Sequence, residues 1–275
     1  MTRFKTLAAT VALTAVCCAG GAQAQQGLVQ IPKPTDGSPM AADNAPETKP
    51  LSAYTLEEIQ SGVPFDGHWT AFSGPAAAQG LPADVVPPNR VLAEIDSYLK
   101  PEYAQAHKDF DRLESEGVEQ KTVQIVCLPY NMPGERQESR LEQNYIALPK
   151  VWVVTAGGWS PRQIHIGSEH PKDLRPSYLG HSVGHWEGDT LVVDTVGFND
   201  QGMIENGVRH TTQLHITARY QIITVNGRNA IRGIYTYDDP GSMLKPMKYA
   251  RVLISAPPGS MMSQENMCNE NNRPR

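Results

Sequence analysis

The segment from Ser177 to Phe198, SYLGHSVGHWEGDTLVVDTVGF, carries two spacings that are typical of catalytic or metal sites. Residues Gly180 to Gly184 match G-x-S-x-G, the pattern around the nucleophile of many serine hydrolases. His181 and His185 are four residues apart, which on a helix would place two metal ligands on one face. Both interpretations depend on the secondary structure of the segment.

Neither interpretation fits the residues that follow. A nucleophile elbow requires a helix after the serine, but Ser182 is followed by VGHWEGDTLVVDT, in which Gly188-Asp189 suits a two-residue turn between two strands. On a strand, residues four apart are separated by about 13 Å, too far for one ion. We therefore predict a β-hairpin in which Ser182 is structural. The predicted pairs are Glu187–Thr190, Trp186–Leu191, His185–Val192, Val183–Asp194 and His181–Val196.

A second hairpin is predicted around Asn226-Gly227, a strong turn signal. It pairs Ile222 with Ile231 and His215 with Asp238. Each hairpin then has an apolar face and a polar face, and six of the eight histidines fall between residues 165 and 215. An aspartate beside an imidazole orients the ring and raises its pKa, as general acid–base chemistry requires. The catalytic candidates are His181, His185, His210, His215, Asp194 and Asp238.

We expect the two polar faces to line one cavity, although antiparallel sheets also expose polar faces to water. The side chain of Arg162 or Arg219 would bind a substrate carboxylate, because the guanidinium group suits bidentate contacts. Tyr220 and Tyr235, on the apolar face of the second hairpin, are the candidate aromatic contacts for a ligand.

The remaining pattern predicts a mainly β protein. From Val123 onward, short runs rich in Val, Ile, Thr and Tyr are separated by turn residues, as in an antiparallel barrel or sandwich. The preceding region is irregular with short helices: Thr55 to Glu58 form a capping box, and Pro101 to Glu116 have helical periodicity. Gly67-x-Trp69 resembles the opening signature of lipocalins, which favours a lipocalin-like barrel.

The chain begins with a predicted export signal. Basic residues, an apolar run and Ala22-Gln23-Ala24 assign residues 1–24 to a signal peptide. Residues 25–54 read as an extended linker and 55–275 as a single β-rich domain. The protein is therefore expected in the periplasm or outside the cell, without a membrane anchor after cleavage. Cys127 and Cys268, which remain after cleavage, are expected to form a disulfide.

The 275-residue chain has a net charge of −5 and no basic stripe, so its charge gives no reason to expect binding to nucleic acid. Its sequence also contains no cofactor-binding motif.

The segment 170–200 is similar to the hallmark of a largely uncharacterised family of exported bacterial proteins, G-[DH]-S-[IV]-G-x-W-E-G-D-T-L-V-V-D-T-x-x-F-N-D. FDGHWTAFSGP, CLPYNMP, RHTTQLHITARYQ and MCNENN resemble its other conserved segments. Many relatives carry Asp at the position of His181 and Arg at that of His185, whereas His210 and His215 match the family pattern. Some similar proteins look like cofactor-independent lyases of lignin-derived aromatics.

Three functions follow as hypotheses. The first is a cofactor-independent lyase of decarboxylase type that acts on a small aromatic acid, lignin-derived in the example that the resemblance suggests. The second is a lipocalin-like protein that binds a small molecule without chemistry, with Tyr220, Tyr235 and Tyr237 around the ligand and the histidines outside. The third is a metal-dependent hydrolase or oxygenase.

Overall fold

The computed structural model describes residues 49–118, 120, 143–156, 161–205 and 207–256. The predicted signal peptide, most of the predicted linker and the predicted Cys127–Cys268 disulfide lie outside these ranges. Within them, no helix has the length and apolar character needed to cross a membrane.

The region before the barrel contains the helices. The described part has three α-helices, Leu56–Gln60 (α1), Val91–Glu94 (α2) and Pro101–Ser115 (α3), and short 3-10 turns. The capping box predicted at Thr55 is confirmed, because its side chain accepts a hydrogen bond from Glu58 N and Glu58 reaches back to Thr55 N. The helix predicted from Pro101 is also confirmed, and it ends just before Gly117, whose φ is 78°.

The strands follow in chain order: β1 Gly67–Ala71, β2 Gln143–Ala147, β3 Val151–Ala156, β4 Arg162–Ile166, β5 His181–Glu187, β6 Thr190–Val196, β7 Met203–Glu205, β8 Val208–Arg209, β9 His215–Val225, β10 Arg228–Asp238 and β11 Met247–Ser255. Nine of them close a barrel in the order β1-β11-β10-β9-β6-β5-β4-β3-β2, and β7 pairs with β8 separately. This confirms the predicted lipocalin-like β-barrel architecture.

One strand pair departs from the antiparallel pattern. β4 and β5 run parallel, with Ile164 beside Ser182, whereas the other pairs in the barrel are antiparallel. A parallel pair requires a connection that crosses back along the sheet. Here that connection is the segment 167–180, called the crossover below, and its His170 contacts side chains of β5 and β6.

Both predicted hairpin registers are confirmed. β5 and β6 pair as expected, including Val183 with Asp194, and β9 and β10 pair His215 with Asp238. The turns explain this accuracy, because each needs a left-handed backbone that the sequence supplies. Gly188 has φ 61° in the first turn, and Asn226 and Gly227 have φ 51° and 75° in the second.

The apolar faces of both hairpins point into the barrel. Leu191 and Val193 on β6, and Ile216 and Ala218 on β9, are completely buried in the main hydrophobic core. Since side chains alternate along a strand, the polar faces must point outward. The polar faces therefore do not line a cavity inside the barrel. Its interior is occupied mainly by aromatic and aliphatic side chains, and the strand histidines His165, His181, His185 and His215 lie on its outer surface.

An aromatic cluster stabilises this interior. Trp152 is 2 % exposed, and its ring lies 5.0 Å from that of Phe65 and 5.8 Å from that of Trp186. We expect Trp152→Ala to lower the free energy of unfolding by about 3–5 kcal/mol, through lost burial and the cavity left behind. Urea denaturation measures this. Ile146→Ala, an exposed position on the neighbouring strand, is the control and should change stability by less than about 0.5 kcal/mol; equal losses would contradict the assignment.

Candidate active site

A chain of hydrogen bonds joins three histidines and one aspartate on the outer surface of the barrel. The Asp194 carboxylate accepts a hydrogen bond from His215 Nε2 at one oxygen and from His170 Nε2, at 2.9 Å, at the other. The other ring nitrogen of His170, Nδ1, lies 2.8 Å from Nδ1 of His181. The hydrogen-bonded side chains therefore follow the order His215–Asp194–His170–His181, and we call this set the histidine relay.

The barrel topology brings these side chains together from separate elements. Asp194 is on β6, and His215 lies diagonally across from it on the adjacent β9. His181 is on β5, on the other side of β6, and His170 comes from the crossover. His165 on β4 adds a further imidazole, because its ring stacks on that of His181 at 5.0 Å with an interplanar angle of 10°.

The surroundings shift the pKa values of Asp194, His215 and His181 in directions that agree with these hydrogen bonds. The hydrogen bond from His215 lowers the pKa of Asp194 against the opposing effect of burial, and the bond from His170 adds to the lowering. The same bond raises the pKa of His215. Burial lowers the pKa of His181, and the neighbouring charges of His170 and His165 lower it further. Asp194 is therefore an anion and His181 favours its neutral form.

When His170 is neutral, these states determine the positions of the ring protons. Because ionised Asp194 only accepts hydrogen bonds, His170 must carry its proton on Nε2. In neutral His170 the Nδ1 atom is then an acceptor, so the short contact requires His181 to donate from Nδ1. The Nε2 atom of neutral His181 consequently holds a lone pair and can accept a proton. The relay thus leaves Nε2 as the proton-accepting atom of the His181 ring.

A pocket lies beside this base. It has a volume of about 240 Å³ and opens where β4 and β5 begin, with His165 and His181 in one part of its lining. Arg162, Ser182 and Leu179 contribute to the rest. The residues that line this pocket therefore include His181, which carries a proton-accepting imidazole, and Arg162, which carries a guanidinium group.

Arg162 is 4 % exposed and belongs to a buried network inside the barrel. Its Nε donates to Ser182 Oγ at 3.1 Å, Nη2 to Thr195 Oγ1 at 3.1 Å and Nη1 to Tyr220 Oη at 3.0 Å. Tyr235 Oη in turn donates to Tyr220 Oη at 3.3 Å. Ser182 therefore helps to hold the guanidinium plane, and its place in the middle of β5 differs from the strand–helix turn of a nucleophile elbow.

Several other predicted residues lie away from the relay. His185 is exposed on β5 and contacts Glu187 at 3.3 Å, and the same carboxylate pairs with Arg219 at 2.7 Å. Asp238 lies opposite His215 in the register, and its charge contributes to the raised pKa of His215. Of the predicted catalytic residues, His181, Asp194 and His215 are brought together, with Asp238 beside them.

His210 occupies a different environment. It is 3 % exposed, its Nδ1 donates to Thr211 O at 3.1 Å, and its ring meets Phe198 edge-on at 5.9 Å. Its Nε2 is buried without a hydrogen-bond partner among the described residues. Burial lowers the pKa of His210, against the opposing effect of the bond to Thr211. This buried histidine, the first residue of the loop that follows β8, therefore favours its neutral form.

Sequence reasoning missed His165 and His170 as site residues. The density of histidines between residues 165 and 215 indicated a site in this part of the chain. His170, however, lies in a connection whose residues show no periodicity from which its position could be predicted. No protein-family model, curated protein or solved structure matches this chain. Among the described residues, no group of three or more His, Cys, Asp or Glu side chains has the arrangement of a metal centre.

The relay predicts a coupled pKa. Asp194→Asn removes the carboxylate whose hydrogen bond raises the pKa of His215, so that pKa should fall toward or below its ordinary value of about 6.5. Titration of the histidine ring signals by NMR measures the change. Asp238→Asn should lower the same pKa less, because the charge of Asp238 raises it less than Asp194 does. An unchanged His215 pKa in Asp194→Asn would contradict the relay.

His210 predicts a loss of stability in acid. Its folded-state pKa lies below the unfolded value of about 6.5, so the unfolded chain binds more protons. The contribution of neutral His210 is complete above that pH and is lost as the pH falls toward the folded-state pKa. We expect His210→Gln to flatten the fall in unfolding free energy between about pH 7.5 and 5.5, whereas His185→Gln should leave it unchanged. A variant as pH-sensitive as the parent would contradict this.

Proposed function

We propose that this protein is an exported, cofactor-independent lyase that decarboxylates a small aromatic acid. The observation that carries the proposal is that the relay ends at a residue of the pocket: Asp194 and His170 leave the proton-accepting lone pair on His181 Nε2, and His181 lines the same space as Arg162. A base and a cation on one small pocket suit an acidic substrate that must gain or lose a proton.

The proton inventory of a decarboxylation fits this arrangement. The bond between the carboxylate carbon and its neighbour breaks, CO₂ leaves, and the electron pair left on carbon takes a proton. His181 delivers that proton from Nε2 after taking one from solvent. While it is protonated, its Nδ1–H bond to His170 connects the positive charge to Asp194. The lowered pKa of His181 makes its imidazolium a stronger acid, which favours transfer to carbon.

Arg162 is the second residue of the pocket lining that has a role in the proposal. Its guanidinium group is held in a fixed plane by the hydroxyl groups of Ser182, Thr195 and Tyr220. A positive charge at this place attracts a substrate carboxylate into the pocket and orients the bond that breaks. Arg219, the other predicted carboxylate contact, is paired with Glu187 on the outer surface and has no part in the proposal.

Pocket size limits the substrate. Sites for drug-sized ligands have volumes of about 300–1,000 Å³, whereas this pocket has about 240 Å³. We therefore propose a substrate with one aromatic ring in place of a two-ring lignin dimer.

A second candidate function is supported by the interior of the barrel. Tyr220, Tyr235 and Tyr237 are buried there, and the rings of Tyr235 and Tyr249 stack at 5.3 Å, while the histidine relay lies outside. This is the distribution expected of a lipocalin-like protein that binds an aromatic ligand without chemistry. A β-barrel is compatible with either function, and turnover distinguishes them.

The purified mature protein should be incubated with single-ring aromatic acids and with two-ring lignin-type compounds, and CO₂ release and product followed by mass spectrometry. For an acid that is turned over, we expect His181→Ala to lower kcat/KM by about 10²–10⁴-fold, the usual contribution of a general acid–base group.

The two histidines of the opening motif give a matched control. His185 lies four residues from His181 on the same strand but contacts Glu187 outside the relay, so His185→Ala should retain the parental rate. Equal rates for both variants would overturn the role of His181. Binding of an aromatic acid without turnover by the parent protein would favour the second function.

A further inference from the structure

The contact between His170 and His181 also has the geometry of a possible pair of metal ligands. Nδ1 of His170 and Nδ1 of His181 lie 2.8 Å apart, a hydrogen-bond distance at which the two nitrogens share one proton. We propose that this pair is a binding site for a divalent transition-metal ion such as Zn²⁺, and that the bound ion switches off the base at His181.

The distance is close to what a metal requires. Two Zn–N bonds of about 2.0–2.1 Å at a tetrahedral angle place the nitrogens about 3.3–3.4 Å apart. The rings therefore need to separate by only about half an ångström for an ion to replace the shared proton. Since both Nδ1 atoms already face the same point, no ring has to turn over.

A supporting contact of metal sites is also present. Histidine ligands of metals usually donate their other ring N–H to a carboxylate, which orients the ring and makes the ligating nitrogen more basic. His170 makes this contact with Asp194 Oδ2 at 2.9 Å. The ionised Asp194 also places a negative charge near the incoming cation.

The number of protein ligands indicates that the metal ion binds with modest affinity, as a reversible regulator would. The His165 ring lies parallel to that of His181, so its nitrogens point alongside the ion's position and do not converge on it. The pair therefore supplies two protein ligands, and water from the adjoining pocket completes the coordination. This agrees with the lack of any larger metal-ligand group among the described residues, and it predicts reversible binding, weaker than that of a structural zinc site with four protein ligands.

Binding and catalysis exclude each other through the tautomer of His181. With the ion on Nδ1, the one proton of the neutral ring must move to Nε2, and that atom can no longer accept a proton. The change needs no net release of protons, because each ring keeps one. This regulatory part rests on the proposed function, whereas the metal site itself does not.

Isothermal titration of the full mature chain with ZnCl₂ tests the site without any substrate. We expect saturable binding to the parent and to His185→Ala, loss of that binding in His170→Ala, and weakening by about 10–100-fold in Asp194→Asn, which removes the supporting carboxylate. Binding that persists unchanged in His170→Ala, or no binding to the parent, would overturn the site.

The regulatory part is tested with any substrate that is turned over. Zn²⁺ should inhibit the parent over the concentration range in which it binds, and a chelator should restore the rate. Full turnover with the ion bound would overturn the switch while leaving the metal site intact. Absence of turnover for all acids tried bears on the proposed function alone, since the titration does not depend on activity.

Discussion

One carboxylate group, that of Asp194, accepts hydrogen bonds from two imidazole rings, and the chemistry of the outer surface depends on this contact. Because an ionised carboxylate only accepts, it determines which nitrogen of each ring carries a proton. One bond retains a proton on His215, and the other sets the tautomer of His170 and, through it, that of His181. An arrangement of neutral rings alone would leave these tautomers undetermined.

The parallel pairing of β4 and β5 places this chemistry next to a pocket. It requires the crossover, which carries His170 back over the outer face of the barrel, and it sets His165 beside His181. Behind the same strands, Arg162 is held inside the barrel by hydroxyl groups from β5, β6 and β9. Residues from both faces of the sheet thus line one space at the strand ends, with the half-buried His181 from the outer face and the buried Arg162 from the inner face.

The sequence allowed the hairpins to be predicted residue by residue, because Gly188-Asp189 and Asn226-Gly227 define the turns and alternation defines the faces. It did not show which face points into the barrel, since alternation separates the two faces of a strand without saying which of them is inside. Only part of the relay could be predicted from the sequence. Asp194 lies on a strand whose register was predictable, but His170 lies in a connection whose path depends on tertiary packing. A short strand such as β4 also gives no local sign of its parallel pairing.

The central claim is the tautomer of His181, and ring-nitrogen NMR of ¹⁵N-labelled protein at mildly alkaline pH tests it most directly. Signals are assigned by comparison with His170 and His181 variants. The structure predicts that His181 carries its proton on Nδ1 and has a bare Nε2, that His170 is the reverse, and that this preference weakens in Asp194→Asn. A His181 ring protonated on Nε2 in the parent protein would contradict the account.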